Sequence, residues 1–356
     1  MSLKRIRKQI DGIDRVLLGL LNKRAKLALG VKNFKKGANK DCYVPDREIE
    51  IYNSLLKKNK GPFPNETVKT IFGEIISASR ALQAPLKIAY WGPEATFTHL
   101  AAMRHFGSSV QYVAVRTITD IFSEVENDRA DYGVIPIENS TEGVINHTLD
   151  MFVDSDLKIC AEIMLRVSHN LLSKSKSLKD IKKVYTSQQP LAQSRNWIEA
   201  NLPHADFVEV STTAEAARLA YKEKNTAAIA NDIAAKYYKL NIVAKHIEDI
   251  PDNFTRFLII GNKYVPKTGK DKTSILFSIK DKVGALYTML MPFKRNNINL
   301  ASIESRPSRK KAWDYYFFID MLGHVEDKKI KKALEELNKE CLFLKILGSY
   351  PTAVQK

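Results

Sequence analysis

Apolar positions in the first 83 residues recur with a helical period. Ile6, Ile10, Ile13, Leu17, Leu20, Leu21, Leu27 and Val31 follow it and predict one unusually long first helix. The pattern breaks around Gly37–Tyr43, and Pro45 opens a second helix through about Lys58. Gly61-Pro62-Phe63-Pro64 makes a turn, and a third helix runs from about Glu66 to Gln83. Three such helices cannot bury so narrow a stripe alone, so self-association is expected.

From Pro85 the rhythm changes to short apolar runs alternating with helical segments. Lys87–Tyr90, Val110–Val115, Tyr132–Ile137, Lys183–Thr186, Phe207–Val210, Ala227–Ala230 and Phe257–Ile260 read as strands. Helices fall between them at about Ala95–Phe106, Ile118–Asn127, Leu191–Ala200, Ala214–Lys222 and Asn231–Tyr238. This alternation predicts an α/β domain with largely parallel sheets in two lobes, ending near Gly261. Asn262–Lys272, rich in Lys, Gly and Pro, reads as a linker. Ser274–Ile279, Ala285–Arg295, Asn299–Arg306, Trp313–Met321, Asp327–Glu340 and Phe343–Gly348 then spell βαββαβ, a ferredoxin-like order. The expected organisation is an all-α domain over residues 1–84, a two-lobed α/β domain over 85–262 and a ferredoxin-like domain over 272–352.

Composition narrows the function classes. The 356 residues carry a formal charge of +16, which favours anionic partners. The lysines are scattered over helix faces and loops, and no nucleic-acid motif accompanies them, so a nucleic-acid binder ranks last. No apolar run approaches the ~18 residues needed to span a bilayer. Val16–Leu21 is too short for a signal-peptide core. Cys42, Cys160 and Cys341 form neither a CxxC pair nor a disulfide framework, so a reduced, cytoplasmic protein is expected.

The segment Asp131–Asp150 concentrates the chemistry. A short strand ends in Glu138-Asn139-Ser140-Thr141-Glu142, Gly143 bends the chain, and a helix follows from Val144. Polar groups at the carboxyl end of a strand, before a helix N-terminus, suit an anionic ligand. The same residues are also ordinary helix caps, and spacing alone leaves both readings open. Gly92–His99 and Asn253–Phe257 are the other polar segments flanking predicted strands. In the helical segment Arg24 and Lys35 are eleven residues apart and return to nearly the same helix face. Arg7 precedes Arg24 by about 25 Å of helix, so if it serves the same site it comes from a second copy of the chain.

Arg7, Arg24, Lys35, Arg47, Glu48, Ser79 and Gln83 together resemble the active-site positions of the all-helical chorismate mutase domain. The resemblance implies arginines holding the two substrate carboxylates, Lys35 and Gln83 stabilising the breaking ether oxygen, and Glu48 accepting from the substrate hydroxyl. The position four before Glu48, often acidic in that family, is Val44 here.

WGPEATFTHLAA, VIPIENSTEGVINHTLD, VYTSQQPLAQS and NFTRF are similar, in order, to the hallmark segments of prephenate dehydratase, a periplasmic-binding-protein-like fold. That likeness implies loss of hydroxyl and carbon dioxide from prephenate to give phenylpyruvate, with Thr255 as proton donor. Asn139, Ser140, Thr148, Gln189, Arg256 and Phe257 become the expected substrate contacts, and Glu138 the residue that orients the loop. Ser187-Gln188 stands where relatives often carry His-Pro. In the tail, Gly284-Ala285-Leu286 and Glu304-Ser305-Arg306-Pro307, with Asn299, resemble the phenylalanine-binding motifs of the ACT regulatory domain.

The combined resemblance implies a bifunctional enzyme of phenylalanine biosynthesis, feedback-inhibited by phenylalanine. It needs no cofactor or metal, and it forms a homodimer or higher oligomer. Two other readings remain: a dehydratase whose helical segment only dimerises, and a two-lobed amino-acid-binding module without catalysis.

Overall fold

The computed structural model describes residues 2–34, 45–279, 282–307 and 315–353. Lys35, Val44, Cys42, the expected break at Gly37–Tyr43 and the start of the strand expected from Trp313 lie outside the described residues. Two compact units are present: Met1–Ile88 with Met103–Tyr112, and Ala89–Ala102 with Val113–Lys356.

The first unit holds α1 (Leu3–Phe34), α2 (Pro45–Lys58) and α3 (Asn65–Gln83). Pro45 supplies the first residue of α2, where its missing N–H costs nothing. Asp46 and Glu48 in the first turn, with Lys57 and Lys58 in the last, complement the helix dipole. The eight residues of the predicted α1 stripe, from Ile6 to Val31, are 39% to 67% exposed. Among the described residues this makes a continuous exposed apolar face, the kind of surface that marks an interaction site. By contrast, α3 buries Ile76, Ser77, Ser79 and Arg80.

The division between the units runs through β1 (Lys87–Trp91), α4 (Phe97–Phe106) and β2 (Gln111–Val115). The first lobe continues with α5 (Ile118–Glu126), β3 (Tyr132–Asn139), β4 (Gly143–Val144), α6 (Asn146–Asp154) and β5 (Lys158–Arg166). The second lobe contains β6 (Asn170–Ser173), β7 (Lys183–Thr186), α7 (Gln188–Gln193), α8 (Arg195–Asn201), β8 (Asp206–Glu209), α9 (Thr213–Lys222), β9 (Thr226–Ala230), α10 (Asp232–Tyr237) and β10 (Asn241–Ala244). β11 (Phe254–Gly261) then returns to the first lobe. The sheet orders are β2-β1-β3-β11-β5, with β4 on β3, and β10-β6-β9-β7-β8.

The expectation of largely parallel sheets is corrected: the sheets are mixed. β11 is antiparallel to both β3 and β5, and β6 is antiparallel to β9 and β10. β7 pairs in parallel with β8 and β9. The reason is the chain path. Two connections cross between lobes, and the returning strand β11 inserts between β3 and β5 without a crossover helix. Strands β5, β6 and β10 also went unpredicted; β5 was obscured by Glu162 in the middle of its apolar run.

The C-terminal segment is β12 (Asp271–Ile279), α11 (Ala285–Arg295), β13 (Leu300–Pro307), β14 (Tyr315–Leu322), α12 (Lys328–Glu340) and β15 (Cys341–Pro351), with sheet order β13-β14-β12-β15. One face buries Ile275 and Phe277 against Met289, Phe293, Ile330 and Leu334 of the two helices. On the other face Leu276, Phe318, Leu347 and Tyr350 share a core with Ile121, Phe122, Phe152 and Leu258 of the first lobe. The tail is therefore packed on the α/β lobe and does not hang from a linker. Lys345 reinforces the joint by donating to the carbonyl of Ser155 at 2.6 Å, beyond the C-terminal end of α6.

Gly348 shows how close the two sheets come. A Cβ there would sit 2.3 Å from the carbonyl oxygen of Ile159 in β5. Gly348→Ala is expected to destabilise this unit by about 1–3 kcal/mol, since main chain must shift to admit a methyl. Urea unfolding followed by Trp fluorescence checks it, and an unchanged midpoint would show that the joint tolerates a wider gap.

Candidate active sites

In the helical unit the structure joins α1 and α3 through Arg24, whose guanidinium donates to Ser79 Oγ at 2.5 Å. Ser79 in turn donates to the Ile75 carbonyl at 2.7 Å, which fixes its hydroxyl. α2 and α3 meet through Glu48, which pairs with Arg80 at 2.9 Å. Arg80 also donates to the Phe106 carbonyl at 2.9 Å. Burial, the larger influence, raises the Glu48 carboxyl above its ordinary range, and the attraction of Arg80 only partly offsets it. Burial, with help from Glu48, also pushes the Tyr52 hydroxyl up to about 12.

Of the other expected residues, Gln83 is half-buried at the end of α3. Arg47 is exposed and pairs with Glu50 at 2.7 Å. Arg7 lies on the exposed surface of α1, far along the same helix from Arg24. Arg80 escaped the sequence reading. The available signal was an arginine on the apolar face of α3, beside Ile76 and Ser77, where an unpaired charge would be costly.

The second cluster forms where β3, β11 and α7 converge. Asn139 Nδ2 donates to Thr255 Oγ1 and to Asn253 Oδ1, both at 2.9 Å. Asn139 Oδ1 accepts from the backbone N–H of Thr141 at 3.0 Å and of Glu142 at 3.2 Å, which sets which end of the amide faces Thr255. Thr255 Oγ1 thus accepts one hydrogen bond, and among the described residues its own hydrogen meets no acceptor. Ser140 Oγ accepts from the Phe254 N–H at 2.9 Å and holds the two strand ends together.

A chain of polar contacts extends the cluster. Asn253 Nδ2 donates to Gln193 Oε1 at 3.2 Å, and the same oxygen lies 2.9 Å from His169 Nε2. Burial, the largest influence, lowers the pKa of His169, so the ring is neutral and its Nε2–H donates. Gln193 Nε2 reaches Thr141 Oγ1 and Glu142 Oε1, each at 3.4 Å. Phe97, from the Gly92–His99 segment, packs edge-on against His169 at 5.7 Å.

Several expected contacts stand elsewhere. The glutamine that joins the cluster is Gln193; Gln189, one helical turn earlier, is exposed at the start of α7. Thr148 is fully buried and donates to the Pro136 carbonyl at 2.7 Å, which supports β3 and leaves no hydroxyl hydrogen for a ligand. Phe257 is buried within β11. Arg256 is corrected most clearly: its guanidinium bonds Glu162, Asp320 and Tyr350, away from Thr255. Strand alternation sends it to the opposite face. Asn253, Gln193 and His169 join this polar cluster without having been among the expected contacts, although Asn253 and Gln193 fall inside the NFTRF and VYTSQQPLAQS segments.

In the C-terminal segment Gly284 adopts a positive φ of 76° just before Ala285 opens α11, and Leu286 is exposed. Asn299 is exposed just before β13. On β13, Glu304 and Arg306 are half-buried and alternate with exposed Ser305 and Pro307. Arg306 pairs with Asp150 of α6 at 3.4 Å.

Residues 6–84 match the family model for chorismate mutase type II, residues 88–265 that for prephenate dehydratase and residues 273–339 that for the ACT domain. The bifunctional chorismate mutase/prephenate dehydratase of Aquifex aeolicus is 51% identical over 357 residues, covering 99% of each chain. Its namesake from Pseudomonas aeruginosa is 46% identical, covering 99% of this chain and 98% of that one. The crystal structure of prephenate dehydratase in complex with L-Phe from Arthrobacter aurescens has a TM-score of 0.69 and 32% identity, covering 75% of this chain and 90% of that one.

Proposed function

Because the chain belongs to the bifunctional chorismate mutase/prephenate dehydratase family, we propose that it makes prephenate from chorismate in the helical unit and phenylpyruvate from prephenate at the Asn139–Thr255 cluster. The observation that carries the second activity is the hydrogen-bond polarity at Thr255. Asn139 donates to its oxygen, so the hydroxyl hydrogen is free to be given to the departing ring hydroxyl of prephenate. Asn139 also stabilises negative charge left on the threonine oxygen, which eases transfer from an unactivated alcohol. Gln193, Asn253 and Ser140 hold these groups in place.

In the helical unit, Arg24 and Arg47 are assigned to the chorismate carboxylates and Ser79 to aiming Arg24. Glu48 is assigned to the substrate hydroxyl, with Arg80 anchoring it, and Gln83 to the ether oxygen; the same assignment for Lys35 rests on the family resemblance alone. Arg7 is assigned to the site of a second copy of the chain. That copy would also cover the exposed α1 stripe, so the working species is at least a homodimer. The buried Glu48–Arg80 pair between α2 and α3 weighs against the dimerisation-only reading, since a helix that only dimerises has no need of it. Phenylalanine is the proposed effector of the C-terminal domain, and the cytoplasm the proposed location.

The ionisation of Glu48 gives a pH signature. Its carboxylate form is the acceptor, and burial raises its pKa, so activity is lost as pH falls at values above the ordinary carboxylate range. Chorismate consumption is expected to decline on the acid side in one proton step, and Glu48→Gln is expected to flatten that limb. A wild-type acid limb confined to the ordinary carboxylate range would remove Glu48 from the role.

The direct test of the dehydratase half is purified chain given prephenate, with phenylpyruvate read by its alkaline absorbance. Formation of phenylpyruvate supports the reading. Unchanged prephenate would leave the cluster without its proposed reaction.

A further inference from the structure

The residues next to Asn139 and Thr255 face the other way. In the antiparallel pairing of β3 with β11, Asn139 lies opposite Thr255 and Glu138 opposite Arg256. Successive side chains of a strand point to opposite faces. The Asn139/Thr255 pair therefore sits in the proposed active site, while the Glu138/Arg256 pair looks onto the C-terminal sheet.

On that side Arg256 is held by three elements. Its Nη1 pairs with Asp320 of β14 at 2.7 Å, Nη2 donates to Tyr350 Oη of β15 at 3.0 Å, and Nε donates to Glu162 of β5 at 2.8 Å. Lys272 of β12 pairs with the same Glu162 at 2.9 Å. Ser274 Oγ donates to Asp320 at 2.5 Å and shares a 2.6 Å hydrogen bond with Tyr350. Two cations and two carboxylates thus close a buried network in which one guanidinium spans two sheets. Removing a single partner from such a network leaves a buried charge under-compensated.

Glu138 completes the picture. It lines a cavity of about 40 Å³ with Arg256, Ser274, Ser302, Glu304 and Asp320. Burial first, and the Glu138 carboxylate second, raise the Glu304 carboxyl above its ordinary range. β13, which carries Glu304, therefore meets β3 through two acids, while β14 meets β11 through an ion pair. The register between β11 and β3 shifts immediately after Arg256, so the regular ladder is interrupted beside Thr255.

We propose that Arg256 is a positioning residue for the dehydratase reaction: its pairing with Asp320 and Tyr350 ties the aim of the adjacent Thr255 to the C-terminal sheet, and an effector bound to that sheet changes the rate through this link. The inference rests on the reading of Thr255 as proton donor and of the C-terminal domain as a phenylalanine sensor. Phenylalanine needs only to favour one arrangement of the sheet, and Arg256 then transmits the difference to a residue one peptide away.

The test uses full-length Asp320→Asn and Tyr350→Phe, measuring phenylalanine binding by calorimetry, chorismate consumption, and dehydratase kcat and KM with and without phenylalanine. Both variants are expected to bind phenylalanine and to consume chorismate as wild type does. Inhibition by saturating phenylalanine is expected to shrink about 5-fold or more, the size of a typical allosteric coupling. Without phenylalanine, kcat falls while KM stays near wild type. Tyr350→Phe keeps every charge in the network, so it decides the matter if Asp320→Asn does not fold. Full inhibition retained in a folded variant overturns the proposal. So does loss of phenylalanine binding in Tyr350→Phe, which would put the network inside the effector site. A wild-type chain that dehydrates prephenate but ignores phenylalanine contradicts the sensor reading and the proposal with it. A wild type that is inhibited, with variants inhibited equally, contradicts the proposal alone.

Discussion

Thr255→Ala is expected to slow phenylpyruvate formation by about 10²- to 10⁴-fold, the range of a lost general acid, while chorismate disappears at the wild-type rate. The methyl group of alanine keeps the volume of β11 nearly intact but removes a hydroxyl whose hydrogen meets no acceptor among the described residues. Prephenate then accumulates. Thr255→Ser restores a hydroxyl at the same position, and a partial recovery of kcat is expected from it. If Thr255→Ala dehydrates prephenate at the wild-type rate, the proton comes from another group and the reading of the cluster is wrong.

Arg24→Ala is the second large effect. Arg24 leaves α1 to meet Ser79 on α3, and Ser79 is itself held by the Ile75 carbonyl, so the guanidinium is aimed before substrate arrives. Its removal is expected to lower kcat/KM for chorismate on the order of 10²- to 10³-fold, as for loss of one preorganised donor to a developing or bound anion. Dehydration of supplied prephenate stays at the wild-type rate. Arg24→Lys recovers little, because a point charge cannot reproduce the planar two-pronged contact to a carboxylate. Unimpaired chorismate turnover in Arg24→Ala would reduce the helical unit to a dimerisation element.

Much of the fold was legible because its boundaries carry local chemistry. Pro45 opens α2 where a proline is tolerated, and Gly284 takes the positive φ that precedes α11. The long period of α1 was equally plain, and its apolar stripe is exposed among the described residues. What escaped was set by tertiary partners. Glu162 reads as a polar interruption in KICAEIMLR until Arg256 and Lys272 are found beside it, and β5 was lost with it. Sheet direction was misjudged because nothing in β11 itself says that it inserts between β3 and β5.

The site was legible in its segments and less so in its side chains. Asn139, Ser140 and Thr255 lie together at the ends of β3 and β11. Gln189 and Gln193 share a helix face at a spacing of four, and only the geometry selects Gln193. Arg256 follows Thr255 in a motif that reads as one unit, yet a strand sends adjacent residues to opposite faces. Arg80 was hidden for a similar reason, since its role depends on Glu48 arriving from a different helix.

The claim that one chain performs two sequential reactions is tested most directly by a time course with chorismate as the only substrate. Samples of the purified protein are resolved chromatographically for chorismate, prephenate and phenylpyruvate. The expected record is loss of chorismate, transient prephenate and steady accumulation of phenylpyruvate. Chorismate left intact, or prephenate that accumulates and never becomes phenylpyruvate, would contradict it.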